Sequence, residues 1–585
     1  MSKSKAKPRK KTSSRTPGQQ TFKVGSNVWM KASPLSQQEL LAQKQRLEFF
    51  LIAKKLVENK EYEVVLEEAG KCLLHDPKDA HMWNLYGIAA QHIATPDDAA
   101  QAFCRAIEID PEMVEAWGNL ASLHASQGNV PAALRAYEAG LKRKENPLVR
   151  GSMIFFMQRF VKDKQQVFEA CRKYGEIYDR PSPIPFKNEP YDGDEVNARY
   201  AYLASSPLKD PPHVGRRLKL GYVSGDFCSH SVYYFIEPIL RHHCHEEFEV
   251  YAFSMTPEDF MTEKLKPYFD HWFDVRDMDD NAMWKLIRDE RIDILVDLSG
   301  HTYRNRLPVF GMRAAPVQCT WIGNPGTTGL KEMDYRLYPT PENEQQYYTE
   351  KTPISAITKK PTGVGVWVPE ERAPAEVAPS PFLENGHLTL GAFNDFNKVS
   401  DEVLAVWAHL LNALPDTVLI IVTKDASQPL FQQKIVATLN LAGEQNFAER
   451  LVFVERQPLA KYLKLFDLID INLDPWPYNG GTTTLHAAWA GVPTITLYDP
   501  TNSVSSGRDI LTDLGLQDEL VAHSPEEYIQ KVQTLNQNRN RLKELRETMR
   551  ERMRASCLMN YELQTHKLEI LYKRFMRNWS LTGKA

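Results

Sequence analysis

Residues 468–498 read LIDINLDPWPYNGGTTTLHAAWAGVPTITLY, and this stretch constrains the fold more than any other. An apolar run from Leu468 to Leu473 stops at Asp474. A Pro-Trp-Pro turn follows, then a cluster of small residues: Asn479, Gly480, Gly481, Thr482, Thr483 and Thr484. A helical run then leads through Gly491 and Pro493 into a second β-rich segment. The order is strand, phosphate-sized loop, helix, strand. Glycines let the backbone approach an anion closely. Hydroxyls and the N–H groups at a helix start suit phosphate. The stretch therefore points to a doubly wound sheet with a nucleotide ligand.

A second periodicity lies upstream. Pro77, Trp83, Ala99, Phe103 and Ala106 recur as Pro111, Trp117, Ala133, Tyr137 and Gly140, each 34 residues later. That is the period of tetratricopeptide repeats. Small residues sit where paired helices approach, an aromatic fills the gap, and proline ends the second helix. An earlier unit, 46–77, keeps Ala53 and Pro77 but lacks the tryptophan. Stacked helix pairs form a concave face for a polypeptide or partner protein, or brace the domain that follows. Residues 148–215 open helically and end in Pro-rich coil, which reads as an adaptor and linker.

From Arg217 onward strands alternate with helices. Segments 218–224, 248–254, 271–276, 292–299 and 315–323 form one β series; 387–394, 416–423, 450–455, 467–473 and 493–498 form another. Alternation implies parallel sheets covered on both faces. Two series joined by the Pro-rich segment near 361–382 imply two lobes, with a ligand at the carboxyl ends of the strands. Those ends carry Asp226 and His230, then His301, then a second Gly/Thr turn, NPGTTG, and in the second lobe Asn394, Asp395 and Lys398. A lysine and helix-start amides suit a diphosphate, and histidines exchange protons near neutral pH. His242, His243 and His245 read as surface histidines, and Trp476 and Tyr478 as packing at the cleft edge.

Composition narrows the class. The 585 residues allow about three domains, and a formal net charge of −4 argues against a wholesale nucleic-acid binder. Seven scattered cysteines without a CxxC pair point to reduced thiols in a cytoplasmic protein, not to a zinc site. No run reaches membrane-spanning length. The first fifteen residues hold seven Lys or Arg and no acid, and read as a solvated tail over 1–40. That tail has contact with nucleic acid or an anionic membrane as its alternative. Without aromatics to stack on bases, sequence-specific binding is not expected.

The blocks GYVSGDFCSH (221–230), DILVDLSGHT (293–302), RAAPVQCTWIGNPGTTGL (313–330), MDYRLYP (333–339), FNDFNK (393–398) and LDPWPYNGGTTTLHAAWAGVPTITL (473–497), in this order behind the repeats, resemble the O-GlcNAc-transferase family. The resemblance spans roughly 46–578. It implies α-helical tetratricopeptide repeats followed by an α/β GT-B fold of two Rossmann-like lobes. The implied division is a disordered basic tail (1–40), repeats (41–147), helical adaptor and linker (148–215), N-terminal catalytic lobe (216–382), C-terminal nucleotide-sugar-binding lobe (383–540) and C-terminal helices (541–585). The implied activity is inverting transfer of a sugar, GlcNAc from UDP-GlcNAc foremost, to Ser or Thr hydroxyls of polypeptides, with no metal and no cofactor beyond the nucleotide-sugar co-substrate. By the same resemblance His230 and Lys398 are catalytic. His301, Pro325, Gly326, Thr327, Asn394, Gly480, Gly481, Thr482, Thr483 and His486 hold the donor. The chain departs from the family pattern at His486, where an acid is frequent, at Tyr462, near which a histidine is common, at Asn324, and over 503–511. Those departures leave open another nucleotide sugar (glucose, fucose), an Asn acceptor, or a degenerate repeat scaffold.

Overall fold

The 34-residue period is written into one repeated hydrogen bond. Trp83 Nε1 donates to the Pro77 carbonyl at 2.9 Å, and Trp117 Nε1 to the Pro111 carbonyl at 3.1 Å. Each tryptophan thus ties the start of one helix to the end of the preceding pair. The chain is described by a computed structural model covering residues 21–24, 28–31, 37–191, 216–338, 340, 342–355, 365–500 and 505–583. The expected linker over 205–215, most of the basic tail, and part of the 361–382 and 503–511 segments lie outside the described residues. Within 1–40, two short strands, β1 (Thr21–Val24) and β2 (Val28–Lys31), pair antiparallel, and a helix begins at Gln37.

The chain divides into two compact units at Leu123/His124. In the first, helices Gln37–Glu58, Tyr62–His75, Ala80–Ile93 and Pro96–Ile109 form antiparallel pairs. Ala99, Phe103 and Ala106 are fully buried. Gly87 is obligatory here, since a Cβ would sit 2.6 Å from the Phe103 ring. The expected repeat end at 147 is not where the contacts divide. Helices Val130–Arg143, Pro147–Phe160 and Lys164–Tyr178 belong to the second unit, with Tyr137 against Phe156 at 6.1 Å.

The second unit holds two six-stranded parallel sheets. The first runs in the order β5 (His271–Asp274), β4 (Phe248–Ser254), β3 (Leu218–Ser224), β6 (Ile294–Asp297), β7 (Val317–Thr320), β8 (Tyr335–Arg336). The second runs β11 (Leu451–Glu455), β10 (Val418–Thr423), β9 (Thr389–Ala392), β12 (Ile471–Leu473), β13 (Thr494–Leu497), β14 (Val521–Ala522). All ten expected strands are present; the two-residue edge strands β8 and β14 are additions. In both sheets the strand order reverses beside the first strand, and ligands bind at the carboxyl side of that switch point.

The helices that close the chain tie the lobes together. Helix Arg539–Ala555 packs on the second lobe, where buried Arg546 donates to the carbonyls of Ala378 (2.7 Å) and Ile469 (2.6 Å). Helix Tyr561–Thr582 returns to the first lobe, where Phe575 stacks on Tyr335 at 3.7 Å. His243, expected at the surface, is buried there. Its ring bridges Tyr222 Oη (2.8 Å) and Glu569 Oε1 (3.1 Å), because the final helix covers the turn that carries it. Among the described residues no helix is long and apolar enough to cross a membrane.

The loop 325–330 of the first lobe lies backbone-to-backbone on the adaptor. A Cβ on Gly175 would sit 2.0 Å from the Gly329 carbonyl oxygen. Gly175→Ala is therefore expected to lower stability by about 1–3 kcal/mol through overpacking, read as a shifted urea midpoint at unchanged slope.

Candidate active site

The site is built outward from Asp474, the residue that stops strand β12. It is fully buried. Its Oδ1 accepts the Gly480 N–H at 2.7 Å and Asn394 Nδ2 at 3.1 Å; its Oδ2 accepts Thr496 Oγ1 at 2.7 Å. Gly480 is required by this packing, since a Cβ would lie 2.6 Å from Asn394 Oδ1. Burial pushes the Asp474 carboxyl up to about 6, against the opposing pull of Thr496, the Gly480 amide and Lys398. The carboxylate thus folds the Gly/Thr loop back against the end of β9.

Gly481 caps helix Thr482–Trp489, whose first internal bond is Leu485 N–H to the Gly481 carbonyl. The N–H groups of Thr482, Thr483 and Thr484 precede that bond, which gives the helix start its positive end. Opposite stands Lys398, at the end of a single 3₁₀ turn, Phe396–Lys398. Its Nζ donates to the Asn479 carbonyl at 3.2 Å and lies 4.8 Å over the Tyr478 ring. Burial lowers its pKa to about 8, Asp474 and Asp395 opposing and Arg159 adding to the shift. The ammonium is therefore the major form at neutral pH.

A cleft of about 550 Å³ opens between the lobes at this point. Lys398, Asn394, Thr482, Thr483 and His486 line it from the second lobe, and Ser229, His230 and Tyr234 from the first. His230 is 46% exposed on the lip, its Nδ1 3.6 Å from Asp226 Oδ1. Burial raises the Asp226 carboxyl, with His230 and Arg304 opposing. His486 is deeply set, edge-on to Tyr234 (6.1 Å), Trp367 (6.0 Å) and Tyr462 (6.1 Å). Burial lowers its pKa to about 4, so the imidazole is neutral. Three buried atoms around the loop lack a protein partner: Asn394 Oδ1, Asn479 Oδ1 and His486 Nε2. Buried polar groups need partners, which water or a polar ligand supplies.

The other expected donor residues sit elsewhere. His301 is buried behind the cleft, its Nε2 2.9 Å from the Thr328 carbonyl and its ring edge-on to Tyr174 at 4.8 Å. Without solvent its pKa falls to about 4. Thr327 is committed to Glu350 Oε2 at 2.7 Å, and the Gly326 N–H to Asn324 Oδ1 at 2.7 Å. Pro325 gives its carbonyl to Arg336. None of these four is among the residues lining the cleft. Unforeseen from sequence are Lys424 and Arg456, which follow β10 and β11 directly and line the cleft, and Arg372 at its mouth. The strand-end rule that found Lys398 points to the first two.

The model of glycosyl transferase family 41 matches residues 198–358 and 382–568, more than half of the chain. The chain belongs to glycosyltransferase family 41. A tetratricopeptide repeat model matches 95–153. A barley (Hordeum vulgare) protein named probable UDP-N-acetylglucosamine–peptide N-acetylglucosaminyltransferase SPINDLY is 33% identical over 381 residues, covering 64% of this chain and 39% of that one. The tomato (Solanum lycopersicum) protein of the same name is 34% identical over 376 residues, 62% of this chain and 39% of the relative. The chain thus spans about two fifths of the length of these curated relatives. Among solved structures, a lysine-to-methionine variant of Thermobaculum terrenum O-GlcNAc transferase superposes with a TM-score of 0.79 at 26% identity, covering 93% of this chain and 99% of that one. The GT-B reading of the two sheets and the family resemblance both agree with these matches.

Lys398 carries its charge below about pH 8, and a diphosphate placed against it would oppose the loss of that charge. Affinity for UDP is expected to fall as pH rises through that value, and binding above it to take up a proton. Titration calorimetry in buffers of different ionisation heat checks this. Constant affinity from pH 7 to 9.5 without proton uptake counts against contact between Lys398 and the anion.

Proposed function

We propose that this family 41 chain transfers a sugar from a nucleotide diphosphate sugar to a polypeptide hydroxyl, with GlcNAc from UDP-GlcNAc and Ser or Thr as donor and acceptor. The observation that carries the reading is the opposition of Lys398 to the helix start at Thr482 and Thr483, within one cleft and over one buried carboxylate. The names printed for the plant relatives support the donor and the peptide acceptor.

In this reading the acceptor oxygen attacks the anomeric carbon from the face opposite the nucleotide. The bond from that carbon to the β-phosphate oxygen breaks, and the electron pair stays on the phosphate. Lys398 and the N–H groups at Thr482 and Thr483 meet the charge that develops there. Preorganised donors in a dry site act without reorganisation, and losing one costs about 10²–10³-fold in turnover. The lysine and the helix start supply the positive field that a divalent ion supplies elsewhere, which is our basis for a metal-independent reaction. His230, on the opposite lip, takes the acceptor proton, a step worth about 10²–10⁴-fold. Attack from that side inverts the configuration. The helical repeats present the polypeptide, as stacked helix pairs do.

Lys398→Met is expected to lower transfer by at least about 10²–10³-fold with an unchanged unfolding midpoint. The assay is intact-mass measurement of purified acceptor peptides against a screen of UDP- and GDP-sugars. Undiminished transfer by the variant overturns the role of Lys398. Failure of every nucleotide to bind in calorimetry overturns the enzymatic reading in favour of a scaffold.

A further inference from the structure

Lys398 sits on a turn of three residues, too short to fix a long side chain by itself. Its support comes from outside both sheets. Helix Pro147–Phe160 of the adaptor makes three contacts around the lysine's turn and the Pro325 loop, from Phe155, Gln158 and Arg159. Phe155 meets the Tyr478 ring edge-on at 6.2 Å, and Tyr478 is the ring that lies beneath the lysine. Gln158 Oε1 accepts Asn324 Nδ2 at 2.8 Å, from the first lobe's Pro325 loop. Arg159 Nη2 donates to Asp395 Oδ2 at 3.3 Å. Asp395 caps the lysine's turn: its Oδ1 accepts the Asn397 N–H at 3.2 Å, and its carbonyl accepts the Lys398 N–H at 2.9 Å.

Arg159 is 17% exposed, and the rings of Phe155 and Phe160 each lie 5.6 Å from its Cζ. Its Nε is buried without a partner. A guanidinium held this way, with one half-exposed carboxylate to answer it, restrains that carboxylate in turn. We infer that Arg159 is a positioning residue for Lys398, setting the lysine's place in the cleft through the Asp395 cap and the Phe155–Tyr478 ring pair.

The inference has an electrostatic signature. The groups facing Lys398 are Asp474 from the end of β12, Asp395 on its own turn and Arg159 from the adaptor. Lys424, Arg456, Arg372, His230 and His486 share the cleft. Removing the Arg159 charge takes away a cation and frees Asp395, and both changes favour the ammonium form of Lys398.

The consequence for turnover rests on the proposed function; the lysine's titration does not. The experiment is pH-dependent acetylation of Lys398 in the full chain, quantified by mass spectrometry without substrate, in the native protein, Arg159→Gln and Arg159→Lys. Arg159→Gln is expected to raise the midpoint by about half a unit or more and to cut transfer from UDP-GlcNAc about tenfold through misplacement. Arg159→Lys restores most of both. An unchanged midpoint with native turnover overturns the inference, as does an equal shift in both variants. If Arg159→Gln fails to fold, Asp395→Asn tests the same link from the other side: the midpoint falls and turnover drops, and no change in either overturns the inference. Retained transfer by Lys398→Met, by contrast, overturns the proposed function and leaves the titration result standing.

Discussion

Each sheet is organised by a buried carboxylate at the end of its fourth strand in space. Asp297 ends β6 and accepts the N–H groups of Ser299 (3.1 Å) and Gly300 (2.9 Å) and Thr320 Oγ1 (2.9 Å). Asp474 follows β12 and does the same with Gly480, Asn394 and Thr496. The register makes the two equivalent: Asp297 pairs with Thr320 across β6 and β7, and Leu473 with Ile495 across β12 and β13, which sets Asp474 opposite Thr496. Burying an unpaired carboxylate costs several kcal/mol. Each side chain here offsets that with three hydrogen bonds, two of them to loop amides for Asp297 and one, from Gly480, for Asp474. Burial still dominates, and both carboxyls rise to about 6. The loops of both lobes are therefore held by the same device, but only Asp474 has a cation near it. The first lobe keeps a shaped turn, and the second keeps a shaped turn with charge to place against an anion.

The cleft also depends on what holds the lobes at a fixed separation. The two closing helices join them, the first through Arg546 on the Ile469 carbonyl of the second lobe, the last through Phe575 on Tyr335 and Glu569 on His243 of the first. The adaptor joins them beside the cleft. Lys164 pairs with Glu344 at 2.7 Å, and Glu344 in turn accepts Tyr498 Oη at 3.2 Å. Gln158 holds the Pro325 loop while its neighbour Arg159 holds the lysine's turn. The adaptor buttresses the Pro325 loop and the lysine's turn from outside the cleft lining, and is not only a connector. Its glycines fit this role, since Gly175 lets the helix backbone touch the Gly329 carbonyl.

What the sequence made legible was what local pattern determines. Alternating strands and helices, the repeat tryptophans, and the chemistry at strand ends all follow from short-range rules, and the residues they single out (Lys398, His230, Asn394, Thr482, Thr483) meet in one cleft with His486, which only the family resemblance named. What escaped depends on packing between distant segments. Arg159 lies 236 positions before Asp395 and shows no motif of its own. His243 became buried because a helix more than 300 residues later covers it. His301 stands at a strand end like the others, but the adaptor's Tyr174 covers it, so position along the strand could not decide its access. The edge strands β8 and β14, two residues each, are too short to leave an alternation.

The charges in the cleft set what can bind there. Lys398 at about 8 and Asp474 at about 6 face each other as an ammonium and a carboxylate at neutral pH, so the pair alone is close to neutral. Under the proposed function a diphosphate needs more than one compensating cation, and the helix start at Thr482 with Lys424 and Arg456 on the lining offers the surplus. His486 is kept neutral by its aromatic surroundings, so it adds neither attraction nor repulsion toward phosphate. An acid in its place, one turn into the same helix, would set a negative charge against the diphosphate. A neutral imidazole with an unpartnered Nε2 offers a hydrogen bond without that cost. Histidine at 486 therefore adds no charge to the cleft and leaves one unpartnered ring nitrogen beside it.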